Sequence, residues 1–293
     1  MNKKIKTIIT ILIISVICIL FLFCGYQKYE IKKYKTLNLE NNSYIHFSID
    51  DCINIFYDLD KNQDKYKSIF ENKLLKYLKH LNSEYGCKFS LYVFENNDSF
   101  DISNCTGKYK EEFEQNSSWL KFGFHALNSN SNYNIDNIQV VDDYNLVIKN
   151  LKRIVGEKSI TNIFIIEKFL LNEKNAKDLK ERINDFSLLG ADTDNRLDYY
   201  LNEEQNKELF QNEYYYDEDN KIEIYNTDFR LENISSKNIN KMLSEMNDNN
   251  LIIFTHEWIF DNIKSSIITK YKIKKICQYA IKHGYNFAYL YKN

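Results

Sequence analysis

Residues Tyr44–Asp51 read Tyr-Ile-His-Phe-Ser-Ile-Asp-Asp, an apolar run that ends in two adjacent carboxylates. The β-branched and aromatic residues of this run favour a strand. Because an unpaired carboxylate is costly to bury, Asp50 and Asp51 mark either a solvated turn or a functional site. In parallel α/β sheets and barrels, functional sites lie at the carboxyl ends of strands. The run therefore predicts a first strand with a candidate site at its end.

Strand-like and helix-like segments alternate along the rest of the chain, which is typical of a parallel α/β architecture. The predicted strands after the first are 88–94, 120–125, 161–169, 187–191, 222–227, 251–255 and 285–290. The predicted helices are 65–85, 108–116, 136–155, a segment around 176–183, 236–246 and 270–283. Residues 197–220 are polar and tyrosine-rich, and they predict an insertion or lid. This many alternating units favours a (β/α) barrel of about seven parallel strands over an open sheet.

The N-terminal region predicts a membrane anchor. Residues 1–6 form a short basic tail, and residues 7–24 carry no charge over a length sufficient to cross a bilayer. This span exceeds the apolar core of a usual signal peptide, so a single uncleaved transmembrane helix is expected. Residues 25–43 then read as a polar stalk before a barrel domain at 44–293. Lysines flank both sides of the span, and the short basic tail favours a barrel domain outside the cell.

Composition narrows the class of protein. The chain has 293 residues, 44% of them hydrophobic, which supports a sizeable core. A net charge of −2 gives no overall attraction to nucleic acid. Its six cysteines include no Cys-x-x-Cys pair, so neither a zinc knuckle nor a dense disulfide framework is indicated, although Cys87 and Cys105 remain a possible pair. The absence of proline fits an AT-rich bacterial genome, which weakens the 23 tyrosines as a sign of sugar stacking.

Five predicted strands end in side chains able to do chemistry. These are Asp50 and Asp51, His125, Asp192 and Asp194, Asp228, and His256 with Glu257. Since parallel strands end on the same rim, we expect these groups to converge. Carboxylates and imidazoles together suit zinc or another borderline divalent metal, and a further carboxylate can act as general base. The plainer alternatives are turns or helix caps for the acids, a core role for His46, and a simple Glu167–Lys168 ion pair.

Three of these segments resemble motifs of the polysaccharide deacetylase family. Phe47–Asp51 resembles the family's first motif, usually Thr-Phe-Asp-Asp-Gly. Phe122–Ala126 resembles the strand that carries its metal histidine, and Thr255–Trp258 resembles its late histidine motif. Residues Gly190–Arg196 and Thr227–Leu231 are similar to segments of a divergent bacterial subgroup. The resemblance implies a distorted (β/α) barrel, a divalent metal, with zinc expected, and removal of acetyl groups from a cell-envelope polysaccharide.

The resemblance also implies roles for individual residues. Asp50 would be the catalytic base, Asp51 and His125 would be metal ligands, and His256 would be the late histidine that acts as general acid. The remaining strand-end residues and their neighbours would contact substrate, namely Asp192, Asp194, Arg196, Asp228, Glu257 and Trp258. The expected partners are an acetylated glycan and, through the N-terminal helix, a membrane.

The sequence departs from the family pattern at three positions. Ser129 stands where the second histidine of His-x-x-x-His belongs, Cys52 replaces the glycine, and the fourth strand carries Glu167 and Lys168 in place of an arginine. We therefore expect His256 to complete the metal site with Asp51 and His125, at the expense of its acid role. The alternatives are a barrel that has lost metal and activity and acts as a glycan-binding or scaffold protein, or a metal-free glycosidase built on paired acids.

Overall fold

The computed structural model describes residues 9–10, 12–18, 43–136, 140–183, 185–193, 196–245 and 250–290. The predicted tail 1–6 lies outside the described residues, as do half of the predicted anchor 7–24 and all of the stalk 25–43 except Ser43. Residues 12–18 are helical and exposed. Within the described ranges, no helix combines the length and the apolar character that crossing a membrane requires.

Ten strands of the described chain form two mostly parallel sheets, which confirms the predicted α/β class. The larger sheet has the order β3-β2-β1-β9-β8, with β10 also paired to β1, and all its pairings are parallel. The smaller sheet has the order β4-β5-β7-β6, and only its β6–β7 pairing is antiparallel. The strands are β1 (Tyr44–Cys52), β2 (Phe89–Phe94), β3 (Leu120–Ala126), β4 (Ile163–Phe164), β5 (Ser187–Leu189), β6 (Tyr214–Asp217), β7 (Ile222–Tyr225), β8 (Phe229–Arg230), β9 (Asn250–His256) and β10 (Asn286–Phe287).

The longer helices of the described chain follow the strands in sequence. They are α1 (Asn54–Lys61), α2 (Lys73–Tyr85), α3 (Lys110–Gln115), α4 (Val140–Val155), α5 (Glu173–Arg182), α6 (Glu203–Asn212), α7 (Ile239–Glu245) and α8 (Ile263–His283). Short 3₁₀ helices include Glu167–Phe169 and Glu257–Phe260, which immediately follow two of the strand segments. Their position places them at the rim where strands end.

Strand β1 is the centre of the larger sheet and is buried on both faces. Ile45, Phe47 and Ile49 belong to the core, and His46 and Ser48 on the opposite face are also buried. A parallel strand covered on both sides reads as a nearly continuous apolar run, as this one does. The neighbours β2 and β9 pair with β1 on either side, and at its carboxyl end Asp51 is partly exposed whereas Asp50 is buried.

The two sheets meet along β3. Phe122 forms a parallel bridge with Ile160, and the segment that follows becomes β4. Gly123 is required at this seam because a Cβ there would lie 2.9 Å from the carbonyl oxygen of Ile163 and 2.8 Å from the Tyr92 ring. The close approach brings the end of β3 beside the segment that leads to Glu167.

Several elements differ from the sequence predictions. The segment predicted as a lid, 197–220, contains α6 and the antiparallel edge strand β6, so part of it belongs to the smaller sheet. The predicted strand 161–169 is only two residues long and gives way to a 3₁₀ helix. Cys87 and Cys105 are both buried free thiols, and the Sγ of Cys87 lies 3.4 Å from the Sγ of Cys277 instead. The suggested Cys87–Cys105 pair is therefore wrong.

Candidate metal centre

The two carboxylates that end β1 have different environments. Asp50 is 2% exposed, and its Oδ1 has no hydrogen-bond partner in the described part of the chain. Asp51 follows with a φ of 58°, and the pairing of β1 with β2 shifts register between Ile49 and Cys52. Such an irregularity re-aims a side chain at the end of a strand. In an extended strand, the side chains of Asp50 and Asp51 would point to opposite faces. The structure instead has a local bend at Asp51.

Asp51, His125 and Glu167 form the group of side chains that could hold a metal ion. One potential ligand atom from each lies within 4.8 Å of the others. The Nε2 of His125 is 3.1 Å from Asp51 Oδ1 and 3.2 Å from Glu167 Oε2. Each residue comes from a different strand end: Asp51 from β1, His125 from β3, and Glu167 from the 3₁₀ helix after β4. The predicted convergence at the rim is therefore present for Asp51 and His125.

The surroundings of His125 favour a ligand role for its Nε2 atom. Its Nδ1 atom donates to the carbonyl oxygen of Ile165, and its ring stacks on Phe94 with centroids 4.7 Å apart. A proton held on Nδ1 leaves the Nε2 lone pair for a metal, which is how ligating histidines are oriented. Burial alone would lower the pKa of His125, but the hydrogen bonds with Asp51 and Glu167 outweigh it and raise the pKa to about 10.

The pKa values of the two adjacent aspartates are shifted in opposite directions. Burial raises the pKa of Asp50 to about 7, although the positive charges of His125 and His256 oppose the shift. Burial also opposes ionisation of Asp51, but its hydrogen bond with His125 and the nearby positive charges lower its pKa below the ordinary value. The lowered pKa makes Asp51 the candidate anionic ligand of the pair, whereas a pKa of about 7 makes Asp50 the candidate for proton exchange near neutral pH.

His256 lies near the same rim but outside the cluster of Asp51, His125 and Glu167, and its predicted role as a metal ligand stays a prediction. Its Nδ1 is 3.2 Å from Glu232 Oε1, and the same oxygen accepts hydrogen bonds from the backbone N–H of His256 and the hydroxyl of Thr255. Burial raises the pKa of Glu232, but His256 outweighs this effect and the pKa falls to about 2. Glu232 therefore fixes the ring and raises the pKa of His256 against the effect of burial. The sequence reasoning missed Glu232.

Glu257 is buried against the start of α1, and its predicted substrate role stays a prediction. Its carboxylate accepts hydrogen bonds from the backbone N–H groups of Ile53, Asn54 and Ile55, each at 2.7 Å. These are unpaired donors at the start of α1, where a negative charge is also favoured by the helix dipole. The carboxylate is 2% exposed and holds α1 directly behind the Asp50–Asp51 bend.

Trp258 is the exposed aromatic side chain beside the cluster. Its indole Nε1 donates to Asp51 Oδ2 at 3.1 Å, and its ring centroid lies 5.6 Å from that of His256. The side chain is 48% exposed. Trp258 thus lies next to both Asp51, the candidate metal ligand, and His256, the candidate acid, and its contact with substrate stays a prediction.

The other predicted substrate residues have structural partners. Asp192 Oδ2 accepts hydrogen bonds from the Arg230 N–H and the Asn233 side chain, and Asp228 Oδ2 accepts one from the Ile252 N–H. The guanidinium of Arg196 lies 5.4 Å above the Phe169 ring. Asp194 lies outside the described residues. The substrate roles of these four residues stay predictions.

Ser129 and Lys168 occupy the region where the family motif is incomplete. The Nζ atom of Lys168 donates to the backbone oxygen of Ser129 at 2.5 Å and lies 3.1 Å from Glu167 Oε1. The plain ion pair considered from the sequence is therefore present. However, the other oxygen of Glu167 faces His125. The ion pair with Lys168 therefore helps to position Glu167 at the cluster. Lys168 also contacts Ser129, the residue that stands in place of the family's second histidine.

Comparison with known proteins agrees with the resemblance seen in the motifs. No protein-family model matches the chain, and no curated protein matches it. Among solved structures, it is similar to a polysaccharide deacetylase from Bacillus cereus, with 9% identity, a TM-score of 0.47, and coverage of 86% of this chain and 93% of the other. It is also similar to a CE4 esterase from Streptococcus mutans, with 15% identity, a TM-score of 0.48, and coverage of 88% and 89%.

The resemblance to polysaccharide deacetylases is confirmed as a likeness. At these identities and TM-scores it does not extend to activity, metal or substrate. Any proposal about activity, metal or substrate therefore rests on the chemistry of the side chains at the rim.

Proposed function

We propose that the protein is a metal-dependent carbohydrate deacetylase that removes acetyl groups from a cell-envelope polysaccharide. The observation that carries the proposal is the Asp51–His125–Glu167 cluster at the strand ends of the two sheets. The barrel predicted from the sequence would consist of these two sheets, joined along β3. Placing such a cluster beside a buried carboxylate and an oriented histidine gives the parts that metal-assisted hydrolysis of an acyl group needs.

The donor set fits a divalent cation. Two carboxylates converge on one imidazole nitrogen whose ring is already oriented by the Ile165 carbonyl. Without a cation, a proton on Nε2 has to satisfy both carboxylates, and a metal would replace that proton. Imidazole and carboxylate ligands together suit zinc, which three protein ligands hold in catalytic sites while a further position stays open for water. We therefore propose zinc or a similar divalent ion as the cofactor.

The residues around the cluster have separate roles in the proposed hydrolysis. A bound divalent ion supplies polarisation of the acetyl carbonyl and a lower pKa for water. Asp50 accepts the proton of the attacking water, a role that suits a buried carboxyl with a pKa of about 7. His256, held by Glu232, donates a proton to the sugar nitrogen or oxygen as its bond to the acetyl carbon breaks, which releases acetate.

Trp258 supplies a surface for the sugar in this scheme. Its exposed ring stands between the metal cluster and His256, within reach of an acetylated residue bound at both. A tryptophan face packs well against the apolar side of a sugar ring. Because the aromatic ring is on the surface, a polymer chain can approach it.

The location proposed for this activity follows from the N-terminal sequence. Residues 7–24 would anchor the chain in the membrane, and the domain from residue 44 onward would face the cell envelope outside. This arrangement would place the site where acetylated envelope glycans occur.

A second candidate function is a glycan-binding protein with the deacetylase-like fold and no activity. Ser129 and the missing arginine favour it, because two groups of the family pattern are absent. Glu167 weakens it, since this carboxylate offers a third ligand atom where the histidine is missing.

The test is acetate release by the full chain from a panel of N- and O-acetylated glycans. We expect release with added zinc, loss of release with a chelator, and loss in Asp50→Asn. Failure to release acetate from any substrate in the panel, with zinc bound, would favour the second function. Retention of the same glycans on immobilised protein would then separate binding from inactivity.

A further inference from the structure

The last long helix, α8, has an unusual charge pattern for a protein with a net charge of −2. It contains no Asp or Glu, and its basic residues other than the terminal His283 are Lys264, Lys270, Lys272, Lys274, Lys275 and Lys282. Lys272 is buried and donates to the Leu231 carbonyl oxygen, whereas Lys264 and Lys274 are exposed. The outer side of the helix is therefore strongly basic.

The same outer side carries large apolar side chains in water. Ile263 is 81% exposed, Ile267 is 64% exposed, and Tyr271 is 45% exposed. Their spacing of four residues places them along one face of the helix. The opposite face, with Ile273, Ile276 and others, is already buried in the core. An exposed row of apolar residues beside lysines is the pattern of a helix that rests on a membrane surface.

Helix α2 extends this face. A groove of about 290 Å³ separates it from α8, and its walls include Tyr77, Ile267 and Tyr271. The hydroxyl of Tyr77 donates to the Lys270 carbonyl oxygen at 3.3 Å, and the Lys270 Nζ lies 5.0 Å from the Tyr77 ring. The walls that α2 contributes also include His80 and Glu84, and Lys73, Lys76 and Lys79 are exposed elsewhere on the same helix.

The acidic residues nearby already have partners. Glu84 forms an ion pair with His80 at 3.0 Å, and Asp261 accepts a hydrogen bond from the Asn54 side chain at 2.9 Å. Glu71 accepts hydrogen bonds from the backbone N–H groups of Lys67 and Ser68, at the turn before α2. These contacts do not cancel the charge of the acids, but α2 carries Glu84 as its one acid against three lysines, and α8 carries no acid against six lysines, so the lysines are in excess.

We propose that this face, formed by α2 and α8 and called here the lysine–isoleucine face, binds the surface of an anionic lipid bilayer. Lysines attract anionic headgroups, while isoleucine and tyrosine side chains insert among the upper acyl carbons. A soluble polyanion would satisfy the lysines but would leave the Ile263 and Ile267 side chains in water, which is why the bilayer is favoured. The interaction is independent of the proposed activity.

The face also has a fixed relation to the candidate metal centre. The 3₁₀ helix Glu257–Phe260 carries Trp258, and α8 begins just after it, capped by Asn262. Because Trp258 donates to Asp51, the N-terminal end of the face adjoins the rim of the site. When this face rests on lipid, the rim of the site would therefore lie next to the bilayer.

The test is lysine footprinting of the full chain in lipid nanodiscs, with an amine-reactive reagent and mass spectrometry. In discs that contain phosphatidylglycerol, Lys264, Lys274 and Lys275 should be labelled at least about threefold more slowly than in pure phosphatidylcholine discs, and high salt should reverse the difference. Exposed lysines elsewhere, Lys177 and Lys207, are internal controls and should not change. Equal labelling in the two lipids would overturn the proposal.

Two double variants separate the contributions, and the side chains that they change are exposed, except for the partly exposed Lys275. Lys274→Gln/Lys275→Gln should weaken binding to the anionic bilayer by roughly fivefold for each lysine removed, so that most of the protection of Lys264 is lost. Ile263→Ser/Ile267→Ser should also remove protection. If soluble polyphosphate without lipid protects Lys264 as well as the bilayer does, and the isoleucine variant does not alter that protection, the partner is a soluble polyanion and the bilayer proposal is wrong. Thermal unfolding of both variants should match that of the unaltered chain.

Discussion

Glu167 Oε2 lies 3.2 Å from His125 Nε2, so a carboxylate from the 3₁₀ helix after β4 faces the imidazole of β3. Its other oxygen is 3.1 Å from Lys168 Nζ. In the proposed metal site this carboxylate would supply an oxygen ligand, whereas Ser129 offers no imidazole. This difference makes the cluster more anionic, and it should favour cations that accept more oxygen ligands than a two-histidine site does.

Replacing Glu167 by Gln should release the metal while the fold persists. The amide keeps the shape of the side chain but removes the charge that faces His125. We expect zinc affinity to fall by at least about 100-fold, since even loss of a partner of a ligand costs 10–100-fold. Competition with a chromophoric chelator measures the affinity. Lys168→Met is the matched control, because it removes the ion-pair partner and leaves both candidate ligand oxygens in place. Unchanged affinity in Glu167→Gln would exclude this ligand.

Replacing Asp50 by Asn should reduce turnover while metal content stays near that of the unaltered chain. Asp50 is buried with one unpartnered oxygen and is outside the cluster of ligand atoms. A general base typically contributes ~10²–10⁴-fold in rate, so acetate release should fall by about that factor. Asp51→Asn, the adjacent carboxylate, should lose both metal and activity. Full acetate release by Asp50→Asn would contradict the assigned role.

His46 should make the fold sensitive to acid. Burial lowers the pKa of His46 to about 4, although its hydrogen bond with the Ala288 carbonyl oxygen opposes the shift. Because the unfolded chain binds this proton at an ordinary pKa near 6.5, stability that is present above pH 6.5 is lost as the pH falls toward 4. The shift corresponds to a loss of about 3 kcal/mol.

The comparison that isolates this effect uses His46→Gln, which removes the titrating ring. We expect the free energy of unfolding of this variant, from denaturant melts, to change less between pH 6.5 and 4 than that of the unaltered chain. His80→Gln is the control, because the His80 side chain is 65% exposed. Parallel curves for His46→Gln and the unaltered chain would show that the buried ring does not couple folding to pH.

Glu257 should matter for stability through the start of α1. Its three hydrogen bonds to backbone N–H groups cannot be replaced in Glu257→Ala, and that variant should lose about 2–4 kcal/mol of stability. Glu257→Gln keeps one acceptor oxygen and should lose less. Asp261→Asn, nearby but bonded only to an exposed asparagine, should change the free energy of unfolding by less than about 0.5 kcal/mol. Equal stabilities of the alanine variant and the unaltered chain would contradict the capping role.

The N-terminal residues should be dispensable for folding of the domain. The large sheet begins at Tyr44, and its core is formed by later residues. A shortened chain that starts near Leu37 should therefore be soluble and should melt cooperatively. An insoluble shortened chain, alongside a full chain that behaves well in detergent, would place the boundary elsewhere.

Part of the site was predictable because it depends on simple local patterns. Asp50, Asp51 and His125 end apolar, strand-forming runs, and parallel strands bring their ends to one rim. The burial of β1 on both faces was also implied by its nearly continuous apolar run. These features follow from the order of residues without knowledge of distant contacts.

The remaining site residues depend on contacts that the sequence does not display. Glu167 follows only two residues of strand and sits beside Lys168, so its charge read as a local ion pair. Its second contact, with His125, arises because Gly123 lets β3 and β4 approach closely. Glu232 and the backbone contacts of Glu257 were not foreseen for the same reason, since each side chain contacts a backbone or ring from another part of the chain.

The central claim is that one divalent ion binds at Asp51, His125 and Glu167. Anomalous diffraction at the zinc edge, from crystals grown with zinc, tests it most directly. We expect a single strong peak at this cluster, with ligand distances of about 2.0–2.2 Å to one atom of each residue and none to His256. A peak bonded to His256 in place of Glu167, or no peak at Asp51 and His125 in zinc-saturated crystals, would contradict the account.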